Sequence, residues 1–182
     1  MNSLILKKCT TKIGNEVVAR TPIPSDAEEM IKYFNVVGGE SENLMFGKDE
    51  FKLSVEQEQE YIKAINEEST SRMILITFEN KIIGVGQIVS ERRKRVAHNS
   101  SLSLSVKKEH WSDGVGSLIM DELIKFAKNN GVTKNINLSV NSKNYRGIGL
   151  YKKFDFSEIG THKNNIQIDG KYYDEILMDL YI

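Results

Sequence analysis

The sequence predicts a mixed α/β fold: one mostly antiparallel sheet, with a central parallel, splayed strand pair and flanking helices. Three observations carry this. Strand and helix periodicities follow one another in the order β-β-α-α-β-β-β-α-β-α-β-β. The strand–helix–strand step over residues 101–141 needs a crossover connection, which makes its two strands parallel. The chain then closes on a hairpin marked by Asp169 and Gly170. One parallel step in an otherwise antiparallel sheet makes two neighbouring strands diverge, and the gap is a natural binding slot.

The elements follow from local chemistry. Leu4, Ile5 and Leu6, then Val17 and Val18, flank the turn dipeptide Gly14-Asn15 and read as a hairpin. Pro22 and Pro24 end its second strand. Ser25 with Glu28 forms a capping box, Met30, Ile31, Phe34 and Val37 give the following helix its apolar face, and Gly38-Gly39 stops it. Residues 38–53 read as an acidic loop. Ser54 with Gln57 opens a second helix, with Tyr61, Ile62 and Ile65 facing inward.

Residues 73–78 and 82–89 are β-rich runs joined at Asn80-Lys81. Leu102, Leu104 and Val106 alternate on one face of a further strand. From Gly114 to Asn130, the residues Val115, Leu118, Ile119, Leu123, Phe126 and Ala127 form one helical stripe, ended by Asn130-Gly131. Ile136, Leu138 and Val140 alternate again. A short helix over 144–154 and a strand hairpin complete the chain.

At 182 residues the chain is about one domain, taking ~150 residues per domain. It reads as a single domain over residues 1–182, with 1–16 as an additional N-terminal strand. Its 25 basic and 25 acidic side chains balance, which argues against a polyanionic partner held by bulk charge. One cysteine, Cys9, allows no internal disulfide and no thiolate zinc cluster, and three scattered histidines show no metal-ligand spacing. No metal is expected. No apolar run approaches the ~20 residues that cross a bilayer. The three-residue apolar run at Leu4 precedes its lysines, the reverse of a signal peptide, so a cytoplasmic protein without membrane contact is expected. Arg92, Arg93, Lys94 and Arg95 lack interleaved aromatics and read as a solvated hairpin tip, not a nucleic-acid surface. The N- and C-terminal strands could pair across subunits, giving a monomer or a homodimer.

The chemically informative stretch is residues 102–117, where a strand feeds a Gly114-x-Gly116 turn that opens a long helix. The first turn of a helix leaves four N–H groups unbonded and carries partial positive charge, and glycine lets a ligand approach that backbone. The turn lacks the third glycine of a dinucleotide fold and the Gly-Lys-Ser/Thr of a P-loop. After the next strand come Asn144, Leu150, Tyr151, Lys153 and Phe156. Together these two motifs resemble the GCN5-related N-acetyltransferase superfamily over residues 17–182. Trp111 stands where that pattern has Gln or Arg, and Gly147 where it has Ala. Asp155 stands where it has Gly. Asp113 puts a carboxylate beside the expected anion site, unfavourable unless it points away.

The resemblance implies an acetyl-CoA-dependent N-acetyltransferase, by direct attack of an amine on the thioester in a ternary complex. It implies that the pantetheine arm lies along Leu104, Ser105 and Val106. The diphosphate would sit on the N–H groups of Ser112, Asp113, Gly114, Val115, Gly116 and Ser117, with Asn144 bonding the arm. Tyr151 is the implied acid for the leaving thiolate, and a backbone N–H near Leu104 the oxyanion donor. Glu91 and His98, at the ends of adjacent strands, are the candidate bases. Glu40 and Glu42, in the loop between the first two helices, are candidates for binding a cationic acceptor, a small amine or a peptide N-terminus. The alternative from another class is a non-catalytic CoA-binding sensor or interaction module on the same fold.

Overall fold

A computed structural model describes residues 3–182. Its strands are β1 (Ile5–Thr10), β2 (Glu16–Arg20), β3 (Arg72–Phe78), β4 (Lys81–Ser90), β5 (Asn99–Val106), β6 (Asn135–Asn141), β7 (Ser157–Ile168) and β8 (Lys171–Tyr181). Its helices are α1 (Ala27–Glu40), α2 (Val55–Glu67), α3 (Val115–Asn129) and α4 (Tyr145–Lys153). One eight-stranded sheet runs β1-β2-β3-β4-β5-β6-β8-β7, and the expected order of strands and helices is the observed one. Every neighbouring pair is antiparallel except β5–β6, which is parallel and paired only at Asn99–Asn135, Ser100–Ile136 and Ser101–Asn137. Beyond those three pairs the two strands part.

The sheet buries both faces, and this sorts the side chains of β5 and β6. On one face α3 packs against Ile74, Ile76, Leu102, Ile136, Leu138 and Val140, and Tyr151 of α4 joins the same cluster. Gly84 and Gly86 of β4 let α3 press close. A Cβ on Gly86 would stand 2.1 Å from Ile119 Cγ2. On the other face α1 and α2 cover Met73, Leu75, Ile82 and Val85. Period-two alternation turns Ser101, Ser103, Ser105, Asn137, Ser139 and Asn141 toward this second face. The hydroxyl of Tyr33 on α1 meets Ser105 Oγ there at 3.0 Å.

Two expected boundaries of α1 differ. Ser25 does not cap it. Residues Pro24–Asp26 form a 3-10 turn instead. Asp26 holds that turn, accepting from Ile23 N–H at 2.7 Å and from the two terminal nitrogens of the Arg20 guanidinium at 2.7 Å. Nor do Gly38 and Gly39 end the helix, which continues to Glu40. A Cβ on Gly38 would lie 2.5 Å from the Gly47 carbonyl oxygen, so the glycine admits the following loop and does not break the helix. The Ser54–Gln57 box forms as expected, with reciprocal bonds of 2.9 and 3.2 Å. Tyr61 of α2 is half-exposed and donates to Gln87 Oε1 at 2.6 Å, while Ile62 and Ile65 are buried.

Candidate functional site

Where β5 and β6 part, a groove of about 750 Å³ opens through the sheet. It has two ends. One lies at the N-terminus of α3 and the start of α4. The other lies on the α1 face, between the α1–α2 loop and the β7–β8 hairpin.

The first end is built from backbone. Ser112 (φ 64) and Gly114 (φ 96) both take left-handed conformations, bending the chain sharply into α3. Gly114 is the N-cap residue and supplies no side-chain cap, so the first N–H groups of α3 are left for a ligand. Ser112, Gly114, Gly116 and Ser117 line the groove. The concern over Asp113 is answered by its direction. It is 4% exposed, does not line the groove, and accepts from Ile13 N–H at 2.9 Å while its carbonyl accepts from Lys12 N–H at 3.1 Å. It fastens the β1–β2 turn onto the α3 turn. Val115 likewise lies beside the groove, its side chain in the core.

That fastening brings Lys12 into the groove lining, a contribution no local sequence signal announces across a hundred positions. Arg146 lines it too, its guanidinium 4.4 Å from the centroid of the Trp111 ring. Trp111 itself donates from Nε1 to the Val106 carbonyl at 2.7 Å. In place of Gln or Arg, the chain therefore has an indole that braces the turn and a cation stacked on it. Two basic groups and an uncapped helix N-terminus make this end of the groove suited to an anion.

The middle of the groove is the free edge of β5. The Lys107 N–H donates to the Ile83 carbonyl of β4, and the Asn99 carbonyl accepts from Glu91 N–H just beyond the end of that strand. Alternation then turns the N–H and C=O of Leu102 and Leu104 toward the gap, where an extended ligand could pair with them. From the opposite wall come Asn144 and Tyr151. Asn144 caps α4 by accepting from Gly147 N–H at 2.9 Å. A Cβ on residue 147 would stand 2.6 Å from Asn144 Nδ2, so glycine in place of alanine gives that amide its room. Burial pushes the Tyr151 hydroxyl up to about 12, which keeps it protonated and able to donate.

The second end is built from side chains. Leu44 and Met45 of the α1–α2 loop cover it, held by the packing of Phe46 and Phe51 on Phe34 and by Asn35, which bonds both backbone groups of Phe51. Its floor carries Glu175 and Asp179 of β8, 6% and 7% exposed, and His162 of β7 stands beside Glu175. Asp179 accepts from Asn135 Nδ2 at 2.9 Å. Neither carboxylate has a Lys or Arg partner among the described residues. Sequence reading singled out none of the three, and took His162 only as one of three scattered histidines. The missing fact was the sheet order, which puts β8 and not β7 beside β6.

The remaining expected residues lie outside the groove lining. Glu91 and His98 are both exposed, in the loop 91–98, at the end of β5 where the parallel pair is closed. Neither lines the groove. His98 shares strand parity with Leu104, but parity fixes a face and not an end. Glu40 does not line the groove either. Its carboxylate accepts from Lys108 N–H at 2.7 Å and ties the end of α1 to the turn after β5. Glu42 is exposed, and what it contributes is its carbonyl, to Asn141 Nδ2 at 3.4 Å. The basic loop residue Arg92 pairs with Glu68. No helix among the described residues is long and apolar enough to cross a membrane.

Known proteins share this architecture. The family model described as Acetyltransferase (GNAT) family matches residues 41–156. A curated relative, the L-amino acid N-acetyltransferase AaaT of Escherichia coli (strain K12), is 27% identical over 107 residues. That alignment takes in 59% of this chain and 66% of the relative, just under two thirds of its length. Among solved structures, a GNAT-family acetyltransferase from Streptococcus pneumoniae superposes with a TM-score of 0.89 at 28% identity, covering 91% of this chain and 99% of its own. The fold is also that of yncA, a putative acetyltransferase from Salmonella typhimurium determined with acetyl-CoA (TM-score 0.79, 14% identity, 91% and 93% covered). With the α3 turn, the splayed β5–β6 pair and Tyr151 on α4 in these positions, the chain belongs to the GNAT acetyltransferase family.

Proposed function

We propose that the protein moves an acetyl group from acetyl-CoA to a primary amine, by direct attack in a ternary complex. The observation that carries this reading is the groove itself. An uncapped helix N-terminus with Lys12 and Arg146 stands at one end, a free strand edge runs through the middle, and buried carboxylates lie at the other. Phosphates suit the first, an extended amide-containing arm the second and an ammonium group the third. In this reading the N–H groups of 112–117 hold the diphosphate, and β5 near Leu104 pairs with the arm. The Leu104 N–H donates to the developing oxyanion, and Tyr151 supplies the proton to the leaving sulfur.

The acceptor's character follows from charge. On the α1 face the ionisable groove residues are Glu175, Asp179 and His162, while Lys12 and Arg146 belong to the α3 end. An acceptor with a carboxylate beside its nitrogen would meet two buried carboxylates and no Lys or Arg. A simple amine or a diamine fits better than a free amino acid, in contrast to the relative whose name specifies L-amino acids. Cation binding thus moves from Glu40 and Glu42 to β8.

Calorimetric titration with acetyl-CoA, followed by thiol-release assays with diamines and with free amino acids, tests both parts. Micromolar binding and turnover with diamines is expected. No binding up to millimolar acetyl-CoA overturns the reading.

A further inference from the structure

We infer that His162 and Glu175 form the proton-accepting pair of the site, His162 as the base that neutralises the acceptor ammonium and Glu175 as the residue that positions it. The inference rests on the acetyltransferase reading above. An ammonium nitrogen has no lone pair, so something in the groove must remove a proton before attack. On the acceptor face three side chains could do so: His162, Glu175 and Asp179.

Their bonding separates them. Glu175 is committed on both oxygens. Oε1 accepts from Ser139 Oγ at 2.6 Å, and Oε2 accepts from Asn165 Nδ2 at 2.7 Å. His162 Nδ1 lies 3.4 Å from the same Oε2. An ionised carboxylate only accepts, so when Nδ1 donates to it the neutral ring has its hydrogen on Nδ1 and its lone pair on Nε2. Among the described residues Nε2 has no hydrogen-bond partner. This is the arrangement that a carboxylate imposes on a catalytic imidazole in hydrolytic triads: a fixed tautomer and a stabilised imidazolium. Asp179 is tied to Asn135, beside the closed end of β5–β6, and so lies farther from the splayed edge that faces Leu104. The His162 side chain is 59% exposed, so a proton taken up there can pass to water.

The proton balance closes. His162 Nε2 takes one proton from R–NH₃⁺, leaving R–NH₂ and an imidazolium held by Glu175. The amine lone pair forms the N–C bond to the thioester carbonyl carbon, and the C–S bond breaks with its electron pair going to sulfur. The sulfur takes the Tyr151 hydroxyl proton, Tyr151 recovers one from the nitrogen, and His162 releases its proton to solvent. The products are an amide, a thiol and one proton.

The test compares wild type, His162→Gln and Glu175→Gln on two acceptors at one pH. One is an alkyl diamine, protonated in solution. The other is a hydroxylamine or arylamine, which arrives neutral. With the diamine, kcat should fall by about 10²–10⁴-fold in His162→Gln, the span of one general base, and by a smaller factor in Glu175→Gln. The KM for acetyl-CoA should stay put. With the neutral acceptor the loss of kcat in both variants should be at least about 10-fold smaller than with the diamine, and calorimetric binding of acetyl-CoA at wild-type affinity shows that they fold. Added imidazole should restore part of the diamine rate to His162→Ala. Equal losses on both acceptors, or none on either, would overturn the assignment while leaving acetyl transfer standing. A wild type that binds acetyl-CoA and acetylates no amine would overturn the reading beneath it, and the assignment with it.

Discussion

The two ends of the groove are made in opposite ways. The α3 end is backbone: left-handed residues at 112 and 114, an uncapped helix start, and glycine where a ligand must come close. Such a site needs a particular short sequence, because only certain residues tolerate those conformations. The acceptor end is side chains on β7 and β8, brought under the α1–α2 loop by the order of strands. Many sequences could form those strands, and what lies on them can change without disturbing the fold. The first end can therefore stay constant across a family while the second is free to set the acceptor.

Several substitutions would break or sharpen this contrast. Outside the His162–Glu175 pair, the largest effect is expected where the ends meet. Tyr151→Phe should lower turnover by about 10–1000-fold with KM for both substrates little changed, read by steady-state kinetics. Equal turnover would remove Tyr151 from the chemistry and leave it as packing in the α3–α4 core.

The same residue links stability to alkaline pH. Its hydroxyl is pushed by burial from the ordinary 10 up to about 12. Below pH 10 both folded and unfolded chains keep the proton. Between 10 and 12 only the unfolded chain gives it up, so stability falls as pH rises, by about 3 kcal/mol at most from this group. Burial also raises Tyr33, so some alkaline loss remains in Tyr151→Phe. Denaturant midpoints at pH 9 and 11.5 should drop less in Tyr151→Phe than in wild type.

At the α3 end, Gly114→Ala forces a side chain into φ 96, which costs roughly 1–2 kcal/mol of backbone strain. Affinity for acetyl-CoA should weaken about 10-fold by calorimetry, with the preference among amines unchanged. A changed preference would mean that the two ends are not separable. The smallest effect is expected at Glu42→Gln, which should leave KM for a cationic amine unaltered. The Glu42 side chain is exposed and does not line the groove.

The same contrast explains what the sequence disclosed. Periodicity gave every strand and helix in order, since burial on one face imposes it residue by residue. The α3 turn and the Asn144–Tyr151 segment were legible because their geometry rests on residues close together in the chain. Glu91 and His98 misled because strand alternation reports which face a residue is on, not which end of the sheet. Glu175, Asp179 and His162 were illegible because their nearness to Ser139 and Asn137 depends on β8 inserting beside β6. Lys12 and Asp113 meet only once the whole sheet is assembled. The capping error at Ser25 is local: Asp26 held by Arg20 outcompetes a serine cap.

The most direct test of the central claim is to mix the protein with acetyl-CoA and an alkyl diamine, and to measure free thiol and acetylated amine together. The account predicts equal amounts of both, dependent on enzyme and amine, and little product from free amino acids. Tight acetyl-CoA binding with thiol release no faster than in buffer, across every amine tried, would contradict it. The groove would then belong to a protein that holds the cofactor without using it.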